Sequence, residues 1–194
     1  MTTAVVDLTD WVTSWAATHN HSHDDQLRPL QGKPALDAAD RQLLARWKFE
    51  SNRARLRRTL NLLARNEQSL ADELTWRALA CNDDLGAWLI AQQILGFGPA
   101  LASAMLMAHD RERFTVLDVR AFKSIVLLVQ TGSLTGRDVD PGLLVRGARP
   151  SAAGTWLAYL NACRALAIVT GCSLRDVDRA LYRANGWDTL PSAQ

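Results

Sequence analysis

Apolar side chains recur every three or four residues through most of this chain, the spacing typical of amphipathic α-helices. The first such segment covers residues 4–17 and ends before a polar stretch, residues 19–34, that contains Pro and Gly and is predicted to be a loop. These patterns predict an N-terminal helix and loop, 1–36, packed on one compact helical unit, 37–194. The predicted fold class is all-α.

Capping signals divide the rest of the chain into helices. A long helical pattern begins near Asp37, with Ser51 as an N-cap inside it, and Ser69-x-x-Asp72 predicts another helix start. Residues 131–150 are rich in Gly, Asp and Pro and are predicted to form a long connection. Further helices are expected over 83–95, 99–109, from about 118 to 129, 151–171 and 173–186, the last ended by Gly186.

The composition indicates a globular protein, because 48% of the 194 residues are hydrophobic and 22% are charged. No apolar run approaches the length needed to cross a bilayer, and the N-terminus lacks the basic start and apolar centre of a secretory signal. We therefore expect a cytoplasmic protein with no membrane partner.

Two sets of side chains were candidates for metal chemistry. Cys81, Cys163 and Cys172 form no CxxC pair, which disfavours a structural zinc or an iron-sulfur cluster and favours reduced thiols. The residues His19, His21, His23, Asp24 and Asp25 alternate in a way that suits ligation, but no second ligand set lies nearby in sequence, so a solvated linker is preferred. Neither set predicts a metal site, and no cofactor is predicted.

The stretch ILGFGPALAS, residues 94–103, interrupts the helical pattern with two glycines and a proline. Each glycine inside a helix costs about 1 kcal/mol, so a turn is expected, with Pro99 at the first position of the next helix. A dinucleotide fingerprint needs a preceding strand, whereas a helix precedes this turn. Two interpretations stay open: a tight link between core helices, or a helix-hairpin-helix whose backbone approaches a phosphate.

Basic residues concentrate between positions 46 and 65, where Glu50 is the single acidic residue. They are Arg46, Lys48, Arg53, Arg55, Arg57, Arg58 and Arg65. Such a segment suits phosphate binding that weakens as salt rises, and Trp47 beside it is a candidate to stack on a flipped base, with Phe97 as a further contact. The alternative is a solvated basic face with Trp47 in the core.

The segments LGFGPALASAML and FTVLDVRAF resemble the helix-hairpin-helix (HhH-GPD) DNA glycosylases, the superfamily of endonuclease III and of the adenine-mismatch, 3-methyladenine and 8-oxoguanine glycosylases. Those proteins carry a Leu-Pro-Gly-hydrophobic-Gly turn and, after the next helix, a hydrophobic-Asp-Thr-His segment with an essential aspartate. Gly96, Phe97 and Gly98 match the turn and Asp118 matches the aspartate. The close match covers roughly residues 85–126.

Departures from the family pattern define the activity that the resemblance implies. Leu95 replaces the turn proline, and Val119 and Arg120 replace the Thr-His pair. The four-cysteine site that holds an iron-sulfur cluster in some members is absent at the C-terminus. Ala100 stands where bifunctional members carry their Schiff-base lysine, so the resemblance implies a monofunctional DNA glycosylase. Asp118 would stabilise the cationic sugar and orient water at its anomeric carbon, leaving an abasic site.

The resemblance also implies the partners of the chain. They are double-stranded DNA with a damaged or modified base, and a monovalent cation at the hairpin. The predicted DNA contacts are Gly96, Phe97, Gly98, Ala100, Arg46, Lys48, Arg53, Arg57, Arg120 and Lys123, with Trp47 in the base pocket and Asp118 as the catalytic residue.

Three alternatives stay open at this point. Asp118 is also well placed to cap the helix that it begins, a role that needs no chemistry. Arg120 and Lys123 could pair with it rather than reach phosphates. The whole chain could be a non-catalytic helix-hairpin-helix module, binding DNA or sensing lesions for a larger bacterial system, or a helical interaction protein with no nucleic-acid partner.

Overall fold

The computed structural model describes residues 7–145 and 149–185, and within them the chain folds into eleven α-helices and no strand. The predicted all-α class is therefore confirmed. The helices are α1 Leu8–Ala17, α2 His21–Asp25, α3 Ala38–Phe49, α4 Arg53–Leu63, α5 Gln68–Leu79, α6 Asp84–Ala91, α7 Pro99–His109, α8 Val119–Gln130, α9 Pro141–Val145, α10 Ala153–Thr170 and α11 Leu174–Ala184, with a 3-10 turn at Arg28–Leu30.

The chain divides into two compact units. The terminal unit takes its described residues from Met1–His19 and Leu117–Gln194, and the central unit is Asn20–Val116. This division differs from the expected boundary at residue 36, because α1 packs on α10 and α11 from the other end of the chain.

The terminal unit is built around α8, α10 and α11. The side chains of Trp156 and Tyr159 on α10 are fully buried, and the Phe122 ring of α8 lies 5.9 Å from the Tyr159 ring. The Ser124 hydroxyl donates a hydrogen bond of 2.8 Å to the Leu181 carbonyl and so joins α8 to α11.

The central unit is built around α7, in which every residue from Leu101 to Ala108 is buried. This helix packs against α3, α5 and α6, while α4 packs on α3. Arg41 on α3 is buried. Its guanidinium donates to the Leu36 carbonyl and to Asp72 and Gln68 of α5, which joins α3 to α5. A buried guanidinium is tolerated because its donors are satisfied.

Several local predictions are corrected by the structure. Residues 19–34 contain α2 and the 3-10 turn rather than a plain loop, because Leu27 and Leu30 are buried and anchor the segment. The N-cap of α4 is Asn52, not Ser51, since the Asn52 side chain accepts the Arg55 N–H. Ser69 lies inside α5, which begins one residue earlier.

Other local predictions are confirmed, and one concerns a residue outside the described part of the chain. Pro99 occupies the first position of α7 as predicted, and α3 and α11 begin after Asp37 and Ser173, which cap them, where the helical patterns were predicted to start. The connection 131–150 contains the short helix α9. Gly186, the predicted end of the last helix, lies outside the described residues.

None of the described helices is by itself both long and apolar enough to cross a membrane. Only α10 and α11 taken together reach that length and apolarity, and they are bent by 108° at the break between them.

Candidate nucleic-acid interface

The turn predicted between two helices of the central unit forms at residues 94–98, here called the glycine turn, between α6 and α7. The Phe97 N–H donates to the Ile94 carbonyl at 2.9 Å, and Gly98 is the N-cap of α7. The indole N–H of Trp88 on α6 donates to the Pro99 carbonyl at 3.1 Å. The turn is therefore fixed to the buried helices on both sides of it.

Gly96 is required where the glycine turn meets α4. Its φ is +96°, a conformation that side chains rarely adopt, and a Cβ there would lie 3.2 Å from the Leu62 Cβ and 3.3 Å from the Thr59 carbonyl oxygen. Gly98 differs, since a Cβ added to it would meet no atom within 4 Å. Gly96 thus serves packing within the central unit, while the space at Gly98 is open.

Asn66, just beyond the end of α4, fastens the glycine turn with a reciprocal pair of hydrogen bonds. Its amide nitrogen donates to the Leu95 carbonyl at 2.8 Å, and its amide oxygen accepts the Leu95 N–H at 3.0 Å. The same amide nitrogen lies 3.1 Å from the Leu63 carbonyl. A proline at position 95 would have no N–H to donate, so the hydrogen bond to the Asn66 amide oxygen requires another residue there.

An open groove of about 710 Å³ runs between α4 and the glycine turn. Its walls combine the arginine-rich helix and the turn in one site. They are formed by Phe49, Asn52, Ala54, Arg55, Arg58, Thr59, Leu62, Gly96, Phe97 and Gly98. The Arg55 guanidinium lies 4.5 Å from the centre of the Phe49 ring, which orients it. The arginine-rich helix α4 and the glycine turn, which are separate segments in the sequence, therefore line one groove.

A second cleft, of about 430 Å³, also opens along α4. It is lined by Ala54, Arg57, Arg58, Asn61, Leu62 and Arg65. Ala54, Arg58 and Leu62 line both this second cleft and the groove, so the two adjoin along α4.

The positive charge on α4 is not balanced within the central unit. The helix contains no acidic residue, and Arg53 and Arg55 stand in its first turn, where the helix dipole already favours negative charge. Within residues 7–145 and 149–185, Arg53, Arg57, Arg58 and Arg65 are exposed and form no ion pair. The groove and the second cleft therefore present a positive potential to solvent.

Of the other predicted DNA contacts in the central unit, Arg46, Lys48, Arg53 and Ala100 line neither the groove nor the second cleft. Arg46 is exposed and Lys48 half-buried on α3, and Ala100 is partly exposed in the first turn of α7. Phe97 is buried but contributes to the groove wall.

Trp47 lies in the core, the alternative weighed from the sequence. It is 7% exposed, and its ring stacks on the His23 ring at 5.3 Å between centroids. His23 also lies 3.1 Å from the Glu50 carboxylate. Among the described residues, no group of three or more His, Cys, Asp or Glu side chains is arranged to hold a metal ion.

Asp118 belongs to the terminal unit and is the N-cap of α8. Its carboxylate accepts the Arg120 N–H at 2.9 Å, so the capping role weighed from the sequence is confirmed. The residue is half-buried, which leaves part of its surface exposed to solvent.

The basic residues of α8 have different surroundings. The Arg120 guanidinium donates to the Tyr182 hydroxyl at 3.1 Å and lies 5.2 Å from the centre of that ring. Lys123 is exposed one turn further along. Arg120 is therefore held by α11, whereas Lys123 extends into solvent.

Comparison with known proteins returned nothing: no family model, no curated protein and no solved structure matches the chain.

Several residues of the interface were not singled out from the sequence, among them Asn66 and Asn61. Asn66 carries no local signal for its role, because the Leu95 backbone that it binds lies 29 residues away. Asn61 follows Arg57 by four residues, and Arg65 follows Asn61 by four, so the spacing could have placed them on one helix face.

The close approach of Gly96 to α4 predicts a large loss of stability on substitution. Gly96→Ala should lower the free energy of unfolding by roughly 1–3 kcal/mol from backbone strain, with a further loss from contact with Thr59 and Leu62. Gly132→Ala is the matched control, because Gly132 also has a positive φ, +73°, but no atom within 4 Å of an added Cβ. Urea unfolding of both variants measures the difference, and equal losses would contradict the packing role.

Proposed function

We propose that this chain binds double-stranded DNA through the groove between α4 and the glycine turn. The observation that carries the proposal is the convergence, in one groove, of an open, glycine-lined helix start and arginines that form no ion pair with any described residue. The residues are Arg55 and Arg58 on one wall and Gly98 on the other. A nucleic-acid backbone supplies the regularly spaced negative charge that such a groove lacks.

The two walls of the groove have complementary roles in this proposal. Arginine guanidinium groups bind phosphate oxygens in a planar, two-pronged geometry, and exposed side chains on a helix can adjust to the backbone that they meet. At the other wall, α7 begins without a side-chain cap. Pro99 has no N–H and the Leu101 N–H donates to the Gly98 carbonyl, so the Ala100 N–H and the positive dipole end of the helix favour an anion. The absence of steric hindrance at Gly98 allows a phosphate to approach the backbone.

We further propose that the reaction is hydrolysis of an N-glycosidic bond in a flipped damaged or modified nucleotide, as the resemblance implies. Water adds to the anomeric carbon while the base departs with its bonding electron pair and takes up a proton. The Asp118 carboxylate stabilises the positive charge on the sugar and orients the water. Ala100 supplies no amine, so the product is an intact strand with an abasic site.

The second candidate function is a DNA-binding module without catalysis. One specific observation favours it: the Asp118 carboxylate already accepts a backbone N–H at the start of α8, which accounts for an aspartate at that position. In that case the groove binds DNA and Asp118 only caps α8.

Asp118→Asn separates the two candidates, because asparagine caps helices about as well as aspartate but carries no charge. We expect duplexes from a panel of damaged and modified bases to be cut by the wild-type protein only after alkali treatment. The variant should bind them equally well and leave them uncut. Asp118→Ala, which also removes the cap, should in addition lower the free energy of unfolding by about 1 kcal/mol.

Each outcome of this assay has one interpretation. Cutting by the Asp118→Asn variant would remove the catalytic role of the carboxylate. Binding by the wild-type protein with no cutting of any duplex would favour the module, and cutting before alkali would contradict a monofunctional reaction.

The binding proposal is tested at Arg58, which lines both the groove and the second cleft. Arg58→Ala should weaken duplex binding and make the slope of log affinity against log salt shallower by about 1, because one phosphate contact is lost. The control is Arg77→Ala, which removes an exposed arginine on α5 that faces Glu73 at 3.8 Å. Fluorescence anisotropy at several salt concentrations measures both, and equal effects would contradict a binding role for the groove.

A further inference from the structure

Leu95 exposes an apolar side chain beside the arginines of the interface. The residue is 42% exposed. Gly96, which follows it, lines the groove, and Arg65, which precedes its hydrogen-bond partner Asn66, lines the second cleft. Leu95 itself lines neither, so it lies at the edge of both, and an apolar group adjoins a surface whose other exposed side chains include several unscreened positive charges.

The position of Leu95 distinguishes it from other exposed apolar residues of the central unit. Single apolar side chains are commonly exposed on protein surfaces, so exposure alone does not indicate a contact. Leu89 on α6 is 45% exposed, and no residue of α6 lines the groove or the second cleft. Leu95 has the same exposure but adjoins the surface that we propose for DNA.

The peptide groups on both sides of the Leu95 Cα are fixed. The Asn66 amide accepts the Leu95 N–H at 3.0 Å and donates to the Leu95 carbonyl at 2.8 Å, and the next residue, Gly96, packs closely against α4. A side chain that enters a stack of bases needs such support, because unstacking is costly and a mobile backbone would lose conformational entropy in addition. Leu95 has this support.

An apolar side chain can supply the specificity that arginines lack. Contacts between arginines and phosphates position a protein on DNA but carry no information about the bases. Apolar side chains of DNA-bending proteins enter between base pairs and partly unstack them, and the cost of this deformation depends on the sequence. The cost is lower where a base pair is mismatched. Insertion of Leu95 therefore makes affinity depend on how easily the bases unstack.

We propose that Leu95 inserts into the base stack of the bound duplex and makes the interface prefer duplexes that unstack easily. This inference rests on the proposed function and adds a specificity-determining residue to it. The arginines of α4 give affinity for any phosphate backbone, whereas Leu95 selects among duplexes. The preferred substrate is a duplex with a locally weakened base pair, such as a mismatch.

The test measures affinity, by fluorescence anisotropy, for a fully paired duplex and for the same duplex with one central mismatch. The wild-type protein should bind the mismatched duplex roughly tenfold more tightly, because the leucine surface is buried at a lower cost of unstacking. Leu95→Ala should bind both duplexes with similar affinity and keep the wild-type salt slope, because no charge is removed. Alanine also keeps both backbone hydrogen bonds to Asn66, and thermal unfolding checks that the fold is retained.

Two further variants complete the comparison. Leu89→Ala is the matched control, since it removes an apolar side chain of similar exposure on α6, and it should keep the wild-type preference. Leu95→Met restores a long apolar side chain and should keep the preference as well.

The outcomes distinguish this inference from the function on which it rests. A wild-type protein without preference would overturn the role of Leu95, and so would a Leu95→Ala variant that keeps the preference. Binding of the paired duplex that Arg58→Ala weakens would in both cases leave the proposed function standing. If the wild-type protein binds neither duplex at low salt, the proposed function and this inference both fail.

Discussion

The close approach of the glycine turn to α4 is the constraint on which the rest of the interface depends. Gly96 lets the turn reach the backbone of α4, and Asn66 fastens it there through the Leu95 peptide. Because α7 is buried along most of its length, the start of that helix has little freedom to move once the turn is fixed. The arginines of α4 and the open start of α7 are thereby kept on the two walls of one groove.

The charge distribution of α4 destabilises the helix itself and is typical of a surface that binds an anion. Arginines in the first turn oppose the helix dipole, and neighbouring arginines repel one another. The helix itself buries only Thr59 and Leu63. In the proposed function, a polyanion neutralises the arginines and offsets this repulsion, so the stability of α4 and the binding of DNA depend on the same side chains.

Turns and helices of the fold could be predicted from the sequence, whereas the helices and residues against which they pack could not. Pro99 and the glycines predicted the turn because their backbone preferences act locally, and the periodicity of apolar residues predicted the helices. Periodicity shows that a helix has an apolar face but not which helix covers it. The sequence therefore predicted that the N-terminal helix packs on the rest of the chain, but its packing on α10 and α11 in particular was missed. The fastening by Asn66 was missed for the same reason, since it joins residues that are distant in sequence.

The candidate site shows the same limit. The basic segment was recognised from composition, but Arg53 and Arg57 were chosen where the groove itself uses Arg55 and Arg58, because the direction of each side chain depends on how α4 packs. Trp47 was given a base-stacking role on the strength of its neighbours in sequence, whereas its ring lies in the core against His23. Capping and catalysis require the same position at a helix start, so the sequence did not separate them; the structure confirms the capping role of Asp118, and its catalytic role stays a prediction.

The central claim is that α4 and the glycine turn together form one polyanion-binding surface. Titration of nitrogen-labelled protein with a short duplex, followed by backbone amide shifts in NMR spectra, tests it most directly. The account predicts shifts concentrated in residues 53–65 and 94–101 at the same stoichiometry. Shifts confined to the terminal unit, or to α4 without the glycine turn, would contradict it.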